Sequence, residues 1–544
     1  MRISRRTRIA GVALIAVAGL TLTACGSDSG SKADDNVITV YGTNPQNPLI
    51  PTATNEVGGG DPLNNIFAGL VAYNTDGSIV NEVADSIEPN EDSTVWTVTL
   101  KDGWTFSDGS AITANSFVDA WNYGADISNG HLGAYFFNPI KGTDEAGNTK
   151  EGEKISGLVV KDDKTFEISL KAPESDFPLR LGYSSYFPLP EVAYGSDGKI
   201  TEEFGNAPIG NGPYQLTKSG WEKNKQISLE PNAKYSGVHE PKNDGLVFKF
   251  YAGGGTDAAY TDVQAGNLDV LDQVPPSAVT TFESDSNIQA YNEPGSMFAS
   301  VTIPARLDHF AGEEGNLRRK AISMSINREQ IAEKIYNNTR TAAVDFTSPV
   351  LEGWTEEIPG NEVVEHNPTE AKKLWAEADK ISKWTGTFAL GYNSDGAGHK
   401  EWTEAASNQI AENLGIKAEA KAYATFDEMR GQVTDRTIKT AFRTGWQADY
   451  PSMLNYLGAL YGTGAGSNDG DYSNKKFDEL IAKAASTTGD DRFKLITEAQ
   501  SILMEDLPAL PLFYYNSTAA VATDVKGFDF NWQAKPEYYQ LTKK

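Results

Sequence analysis

The chain reads as a mixed α/β protein built from more than one lobe, and three observations lead there. Short runs of β-branched and aromatic residues alternate in polarity, as in Val95-Trp96-Thr97-Val98-Thr99-Leu100. Other stretches carry apolar residues at helical spacing between recognisable caps, as from Asn367-Pro368 onward or up to Gly415. A length of 544 residues exceeds what one core usually supports, so the chain divides into roughly two to four lobes.

Taken in order, Val37 to Tyr41 alternates and opens the folded body as a strand. Val95 to Leu100 is a second strand. The turn signals Lys101-Asp102-Gly103 and Ser107-Asp108-Gly109 flank Trp104-Thr105-Phe106. Thr113 stands in N-cap position before a helix with Phe117, Ala120 and Trp121 on one face. Thr165 to Leu170 alternates again, and Pro208, Gly210, Gly212 and Pro213 break the chain where a crossing between lobes is expected. The second half is richer in helix. Asn316 to Ser325 aligns Leu317, Ala321 and Met324, and Asn327 with Gln330 has the spacing of a capping box. Asn367 caps a helix whose first residue is Pro368. Thr387 to Tyr392, the amphipathic Lys400 to Leu414 stopped by Gly415, and Ile416 to Ala420 make a β-α-β step. Asp490 to Glu505 is a further amphipathic helix. The Gly-rich Gly462 to Gly470 lacks a following Gly-Lys-Ser/Thr and reads as a mobile surface loop, not a phosphate loop.

The N-terminus carries an export signal over residues 1–24. Arg2, Arg5, Arg6 and Arg8 precede the apolar Ile9 to Leu22. That stretch is short for a membrane span, which needs about 20 apolar residues. Leu22-Thr23-Ala24-Cys25 is similar to a bacterial lipobox, and Cys25 is the expected lipidation site and the one Cys of the chain. Two acyl chains would suffice for stable anchoring. Residues 25–35, rich in Gly, Ser, Asp and Lys, read as a tether. A single Cys excludes an intrachain disulfide and a thiolate zinc site. The net charge of -27 argues against nucleic acid and anionic lipid as partners and suits an exported, soluble body. The five His form no close ligand pair, no G-x-S-x-G elbow is present, and no nucleotide motif occurs. The expectation is therefore a non-enzyme with no cofactor and no metal.

Six segments in fixed order resemble the family 5 extracellular solute-binding proteins of ABC importers, whose best-known members bind oligopeptides and dipeptides. They are Val95 through Phe117, Pro208-Ile209-Gly210-Asn211-Gly212-Pro213-Tyr214, Pro231 to Tyr235, Gln264 to Asp269, Leu317 to Arg328, and Gly445-Trp446-Gln447-Ala448-Asp449-Tyr450. The resemblance implies a type II periplasmic-binding-protein-like fold: two ligand lobes joined by hinge strands, with an extra α/β domain inserted in the first. It places a first domain at 36–70, 207–296 and 513–544, the extra domain at 71–206, and the second lobe at 297–512.

The resemblance also implies a site. Asp449 is expected to meet the ligand's ammonium, because a buried ammonium without an opposite charge costs several kcal/mol. Glu56, Val57, Gly445, Trp446 and Gln447 fall in main-chain contact regions, with Gly58-Gly59-Gly60 in a ligand-facing loop. Extended ligands can bind there as an added strand whatever their side chains. Arg443 and His399 are expected at the carboxylate end, and Tyr423 at the cleft wall. For Asp449 a turn cap before Pro451 is the competing reading, for Arg443 a salt bridge, for His399 a solvated helix start and for Tyr423 core packing. The expected ligand is a peptide of about two to six residues, and the expected partners are a permease with its ATPase subunits and, through Cys25, the membrane. The protein is expected to be a monomer on the outer face of the cytoplasmic membrane. Ten Trp and 23 Tyr keep an oligosaccharide or other solute open as the ligand, and 74 acidic residues keep a glycoside hydrolase formally open.

Overall fold

The computed structural model describes residues 36–54, 56–251, 255–394 and 398–543. The export signal, Cys25 and the tether lie outside the described residues. Asn36–Lys544 form one compact unit, organised on an eleven-stranded sheet. Across that sheet the strands run Lys417–Tyr423, Thr387–Asn393, Ala441–Gln447, Ile288–Thr302, Ala509–Ala522, Val270–Leu271, Val37–Gly42, Gly245–Phe250, Gln226–Pro231 and Tyr214–Glu222, with Arg340–Ala342 also paired to Ala509–Ala522.

Two hydrophobic cores lie along this sheet. The first gathers Ile38, Val40, Ile227, Leu246, Val270 and Ala519. The second gathers Phe298, Val301, Leu390, Tyr456, Leu503 and Tyr514. Ile288–Thr302 and Ala509–Ala522 enter both cores and pair antiparallel from Ile288↔Ala522 to Thr302↔Ala509. Their register breaks between Pro294 and Phe298, between the two cores. Pro294 has no N–H to offer a ladder. A Cβ on Gly295 would lie 2.8 Å from the Tyr515 carbonyl, so the strands can run this close only with glycine there.

A second, four-stranded antiparallel sheet runs Ala84–Pro89, Val95–Leu100, Thr165–Ser169, Leu158–Val160. As the alternation predicts, Trp96, Val98 and Leu100 are buried while the threonines between them are half-exposed. The helix Ala114–Ala125, capped by Thr113, lays Phe117 and Trp121 on Phe166. The Trp121 indole donates to the Tyr186 carbonyl at 2.9 Å. This sheet shares the first core.

The β-α-β step is present: Thr387–Asn393 and Lys417–Tyr423 pair in parallel around the helix His399–Leu414. Gly415 ends that helix at φ +71°. Two expectations need correction. Asn327 does cap its helix, accepting from Gln330 N at 2.9 Å, but the reciprocal half of the box is missing. The Asn327 N–H donates instead to Gln409 Oε1 (2.8 Å), whose amide reaches Gln330 Oε1 (2.9 Å). The Gly462 to Gly470 segment is not a wholly exposed surface loop, since its later residues are anchored. Asn468 and Asp469 are buried, and Arg430 grips the Asp469 carboxylate with both terminal nitrogens at 2.5 and 2.8 Å. No helix among the described residues is long and apolar enough to cross a membrane.

Candidate functional site

The strand Ala441–Gln447 is the framework of the site. On one side it pairs with Ile288–Thr302 from Met297↔Gln447 to Thr302↔Phe442. On the other it pairs with Thr387–Asn393 at Ala441 and Phe442 alone. From Thr444 to Gln447 that edge has no strand partner among the described residues, so a stretch of backbone is open to an added strand. The two-residue repeat puts Arg443, Gly445 and Gln447 on one face. Gly445 and Gln447 are exposed. A Cβ on Gly445 would meet nothing nearer than the Phe298 carbonyl at 3.8 Å, so packing does not demand glycine here. Trp446 turns to the other face, lies against the second core and donates to Asn455 Oδ1 at 3.1 Å. Gln447 donates to Ser296 Oγ at 3.3 Å.

Asp449 follows the strand end. Its N–H donates to Asn455 Oδ1 at 3.0 Å, its Oδ2 accepts from the Asn455 amide at 3.4 Å, and its Oδ1 accepts from the Tyr135 hydroxyl at 3.2 Å. No ion pair reaches its carboxylate among the described residues. The Arg180 guanidinium, the cation that acts on it, is already engaged: it pairs with Glu174 at 2.5 Å and stacks over the Tyr450 ring at 4.1 Å. Burial therefore raises the Asp449 carboxyl above the usual carboxylate range, with the bonds from Asn455 and Tyr135 and the charge of Arg180 opposing. The Asp449 carboxylate is thus half-buried and served by neutral donors, with no cation paired to it among the described residues.

Tyr135 comes from the part of the chain that carries the four-stranded sheet, and other contacts knit the same two regions. Arg492 meets Asp176 at 2.6 Å, the Ser452 hydroxyl donates to the same carboxylate, and the Ser175 N–H donates to the Ala485 carbonyl at 2.5 Å. Tyr135 lies 314 residues from Asp449 in sequence, so no local signal pointed to it. Asn455 follows Asp449 by six residues, on the helix Met453–Tyr461 that Ser452 caps.

At the far end of the strand, Arg443 and His399 contact each other. Arg443 Nη1 lies 2.7 Å from His399 Nε2 and 3.3 Å from Asn393 Oδ1. Arginine only donates, so Nε2 accepts and this arrangement holds a neutral imidazole. The structure thus brings together the two residues expected at the carboxylate end, with the guanidinium as the charged group of the pair. The Phe426 ring lies 6.0 Å from the guanidinium carbon.

Two other expectations are corrected in their local setting, the cleft-wall position of Tyr423 and the loop at Gly58-Gly59-Gly60. Tyr423 is 7% exposed and packs with Met429, Val433, Ile438 and Phe442. It belongs to a small core, because its ring turns inward beside Thr440 (3.3 Å). Glu56, Val57 and Gly58 are not an extended edge or a loop: Glu56 is the N-cap of the helix Val57–Ile66. The Glu56 carboxylate is occupied by the Gly59 N–H at 3.0 Å and the Gln46 N–H at 3.1 Å, while Val57 stands exposed on the first turn. The glycines that suggested a loop serve close packing. A Cβ on Gly58 would sit 2.6 Å from the Thr43 carbonyl, and one on Gly59 2.6 Å from the Thr54 methyl.

The model for bacterial extracellular solute-binding proteins, family 5 matches residues 78–468. The chain is 26% identical over 541 residues to the oligopeptide-binding protein OppA of Bacillus subtilis (strain 168), covering 95% of this chain and 96% of the relative. It is 27% identical over 475 residues to the dipeptide-binding protein DppE of the same organism, covering 86% and 84%. The unliganded open form of the periplasmic murein tripeptide-binding protein MppA superimposes with a TM-score of 0.82 at 22% identity, over 94% of this chain and 98% of that one. That likeness bears out the expected type II periplasmic-binding-protein-like fold, and the match over most of its length places the chain in the family of bacterial extracellular solute-binding proteins, family 5.

Proposed function

We propose that this protein is the substrate-binding component of an ABC importer, anchored outside the cell through Cys25, and that it captures short peptides with a free N-terminus. The observation that carries the peptide reading is Asp449: a carboxylate held above its ordinary pKa by burial, with no cationic partner among the described residues. A peptide ammonium would supply the missing charge. The open edge from Thr444 to Gln447 would bind the ligand's main chain without regard to its sequence. Arg443 would meet the carboxylate end, with His399 holding the guanidinium in place. At about 3.3 Å per residue, Arg443 and Gln447 are roughly 13 Å apart, with Asp449 beyond. A ligand that meets both ends is therefore about four residues or longer.

The names of the relatives, oligopeptide-binding and dipeptide-binding proteins, support the same class of solute. The two cores and the broken register at Pro294–Phe298 support two lobes, here assigned to residues 36–70, 207–296 and 513–544 and to residues 297–512, with 71–206 as the extra domain. The two long strands would serve as hinge, and closure would bring both lobes to the permease. Binding would be the whole of its chemistry. The ATPase partner would supply the energy.

Calorimetric titration with a tetrapeptide and its N-acetyl twin tests this reading. The free peptide is expected to bind and the acetylated one to bind at least thirtyfold more weakly. Equal affinities would remove the ammonium role, and binding of oligosaccharides alone would remove the peptide assignment.

A further inference from the structure

A cavity of about 120 Å³ lies apart from the open strand edge, walled by the helix Val57–Ile66, by Ala72 and Glu82, by Gly182 and Tyr183, and by the C-terminal segment from Asn531 to Tyr539. Its ionisable lining is unbalanced. Asp61, Glu82 and Glu537 face it, against Lys535. Lys535 is already shared between Asp61 and Asp272, 3.1 Å from each. His239, another wall, is neutral near pH 7, since burial pushes it down to about 4; its ring stacks on Tyr539 at 4.4 Å.

The two remaining acids differ. Glu82 is 1% exposed and satisfied by neutral donors, the Tyr235 hydroxyl and the Val238 N–H. Glu537 is 7% exposed and has no cationic partner among the described residues. Burial pushes its carboxyl up to about 7, the Asn531 side chain opposing and the charge of Asp529 adding to the rise. A carboxyl this buried and this poorly matched is costly in a merely structural role. The remaining wall is aromatic, with Tyr73, Tyr183, Tyr538 and Tyr539, a surface that attracts cations over its ring faces. No group of three or more His, Cys, Asp or Glu among the described residues is arranged to hold a metal ion, and the aromatic wall suits an organic cation.

We propose that this cavity binds an organic cation, a primary ammonium or guanidinium on an aliphatic stem, with Glu537 as its counter-charge. Such a group has two sources: a free amine, or the basic side chain of a peptide held in the main site. Tyr183 makes the second source geometrically sensible, because it lines the cavity and also feels the charge of Asp449. The proposal does not depend on Asp449 being an ammonium site.

The test is calorimetric titration of the wild-type protein, Glu537→Gln and Asp449→Asn with two pairs of probes. Hexylamine is set against hexanol, and Lys-Ala-Ala-Ala against its norleucine twin. In the wild type, at least one cationic probe is expected to bind at least tenfold more tightly than its uncharged twin, and Glu537→Gln abolishes that advantage. If hexylamine carries it, Asp449→Asn leaves it intact and the ligand is a free amine. If only the Lys peptide carries it, the cation is a ligand side chain. If neither cation outbinds its twin, or if the advantage survives in Glu537→Gln, the proposal is overturned. A second measurement needs no variant. The ratio of the wild-type affinity for whichever cationic probe binds to that for its twin should rise about tenfold from pH 6 to pH 8 as a carboxyl with a pKa near 7 ionises; the ratio cancels the titration of the terminal groups that the two peptides share. A flat ratio also overturns it.

Discussion

Replacing Asp449 by Asn separates the site from the fold, because the two effects have opposite signs. In the unliganded protein the carboxylate is half-buried and met by Tyr135 and Asn455 alone among the described side chains. Its raised pKa means that the charged form is the less comfortable one there. A group whose folded pKa lies above its unfolded value destabilises the fold at pH values above both, and the penalty disappears as pH falls below the unfolded value. Asp449→Asn removes the charge and keeps an acceptor for Tyr135, so the unliganded protein should be at least as stable as the wild type at pH 7 and no more stable at pH 3. For a ligand with a free ammonium the same change strands a buried cation, at about 2–5 kcal/mol, or roughly thirtyfold to several-thousandfold in affinity. Urea denaturation of the apo protein and calorimetric titration with a free tetrapeptide read the two quantities separately. A variant that melts earlier than wild type and binds more weakly in proportion would refute the argument, because that pattern belongs to a structural carboxylate.

The same geometry makes further predictions. Gly445→Val should leave stability within about 1 kcal/mol, since its Cβ enters open space and β-branched residues suit strands; yet it should weaken peptide binding at least tenfold by crowding the face that ligand side chains would share, as titration would read. Arg492→Met strands the buried Asp176 carboxylate and should cost about 3–5 kcal/mol in urea denaturation; a loss below 1 kcal/mol would mean that this pair is not needed. Trp121→Ala empties the centre of the four-stranded sheet's core, where the ring is fully buried among Phe117, Phe166 and Tyr186, and should cost about 3–5 kcal/mol by the same assay. Glu537→Gln should stabilise the unliganded protein by about 3 kcal/mol at pH 8, where the wild-type carboxyl is charged, and not at all below pH 4.5, because its folded pKa of about 7 lies above the unfolded value.

What could be read before the structure was known is what local chemistry decides. Thr113, Asn367-Pro368 and Gly415 mark helix ends through groups within four residues of each other, and the helices end where those signals stand. The alternation in Val95–Leu100 depends on which face of one strand is wet. The reading failed where distant residues decide. Gln409 intrudes on the Asn327 cap from another helix. Gly58 and Gly59 looked like loop residues because glycine costs about 1 kcal/mol in a helix. The burial of Leu63 and Ile66 and the close approach of Thr43 and Thr54 outweigh that cost. Tyr423 and Arg443 occupy comparable positions near strand ends, yet one ring turns into a core and the other side chain turns to a histidine; strand period alone does not separate them.

Tyr135 changes how the site is understood. Two opposite charges 4 Å apart attract by about 1 kcal/mol in water and about 4 kcal/mol at the effective dielectric of a protein surface cleft. Asp449 would gain strength as a receptor only when water is kept away, and the residue beside it, Tyr135, comes from a distant part of the chain. An arriving ammonium would share the carboxylate with that hydroxyl. Occupancy of the charge and approach of Tyr135 would then reinforce each other: closure would strengthen the ion pair, and the ion pair would make closure favourable. A neutral ligand bound along the Thr444–Gln447 edge would gain its hydrogen bonds with little such coupling. Selection for a charged terminus and selection for the closed state would then be one physical property, seated in one carboxylate and one tyrosine.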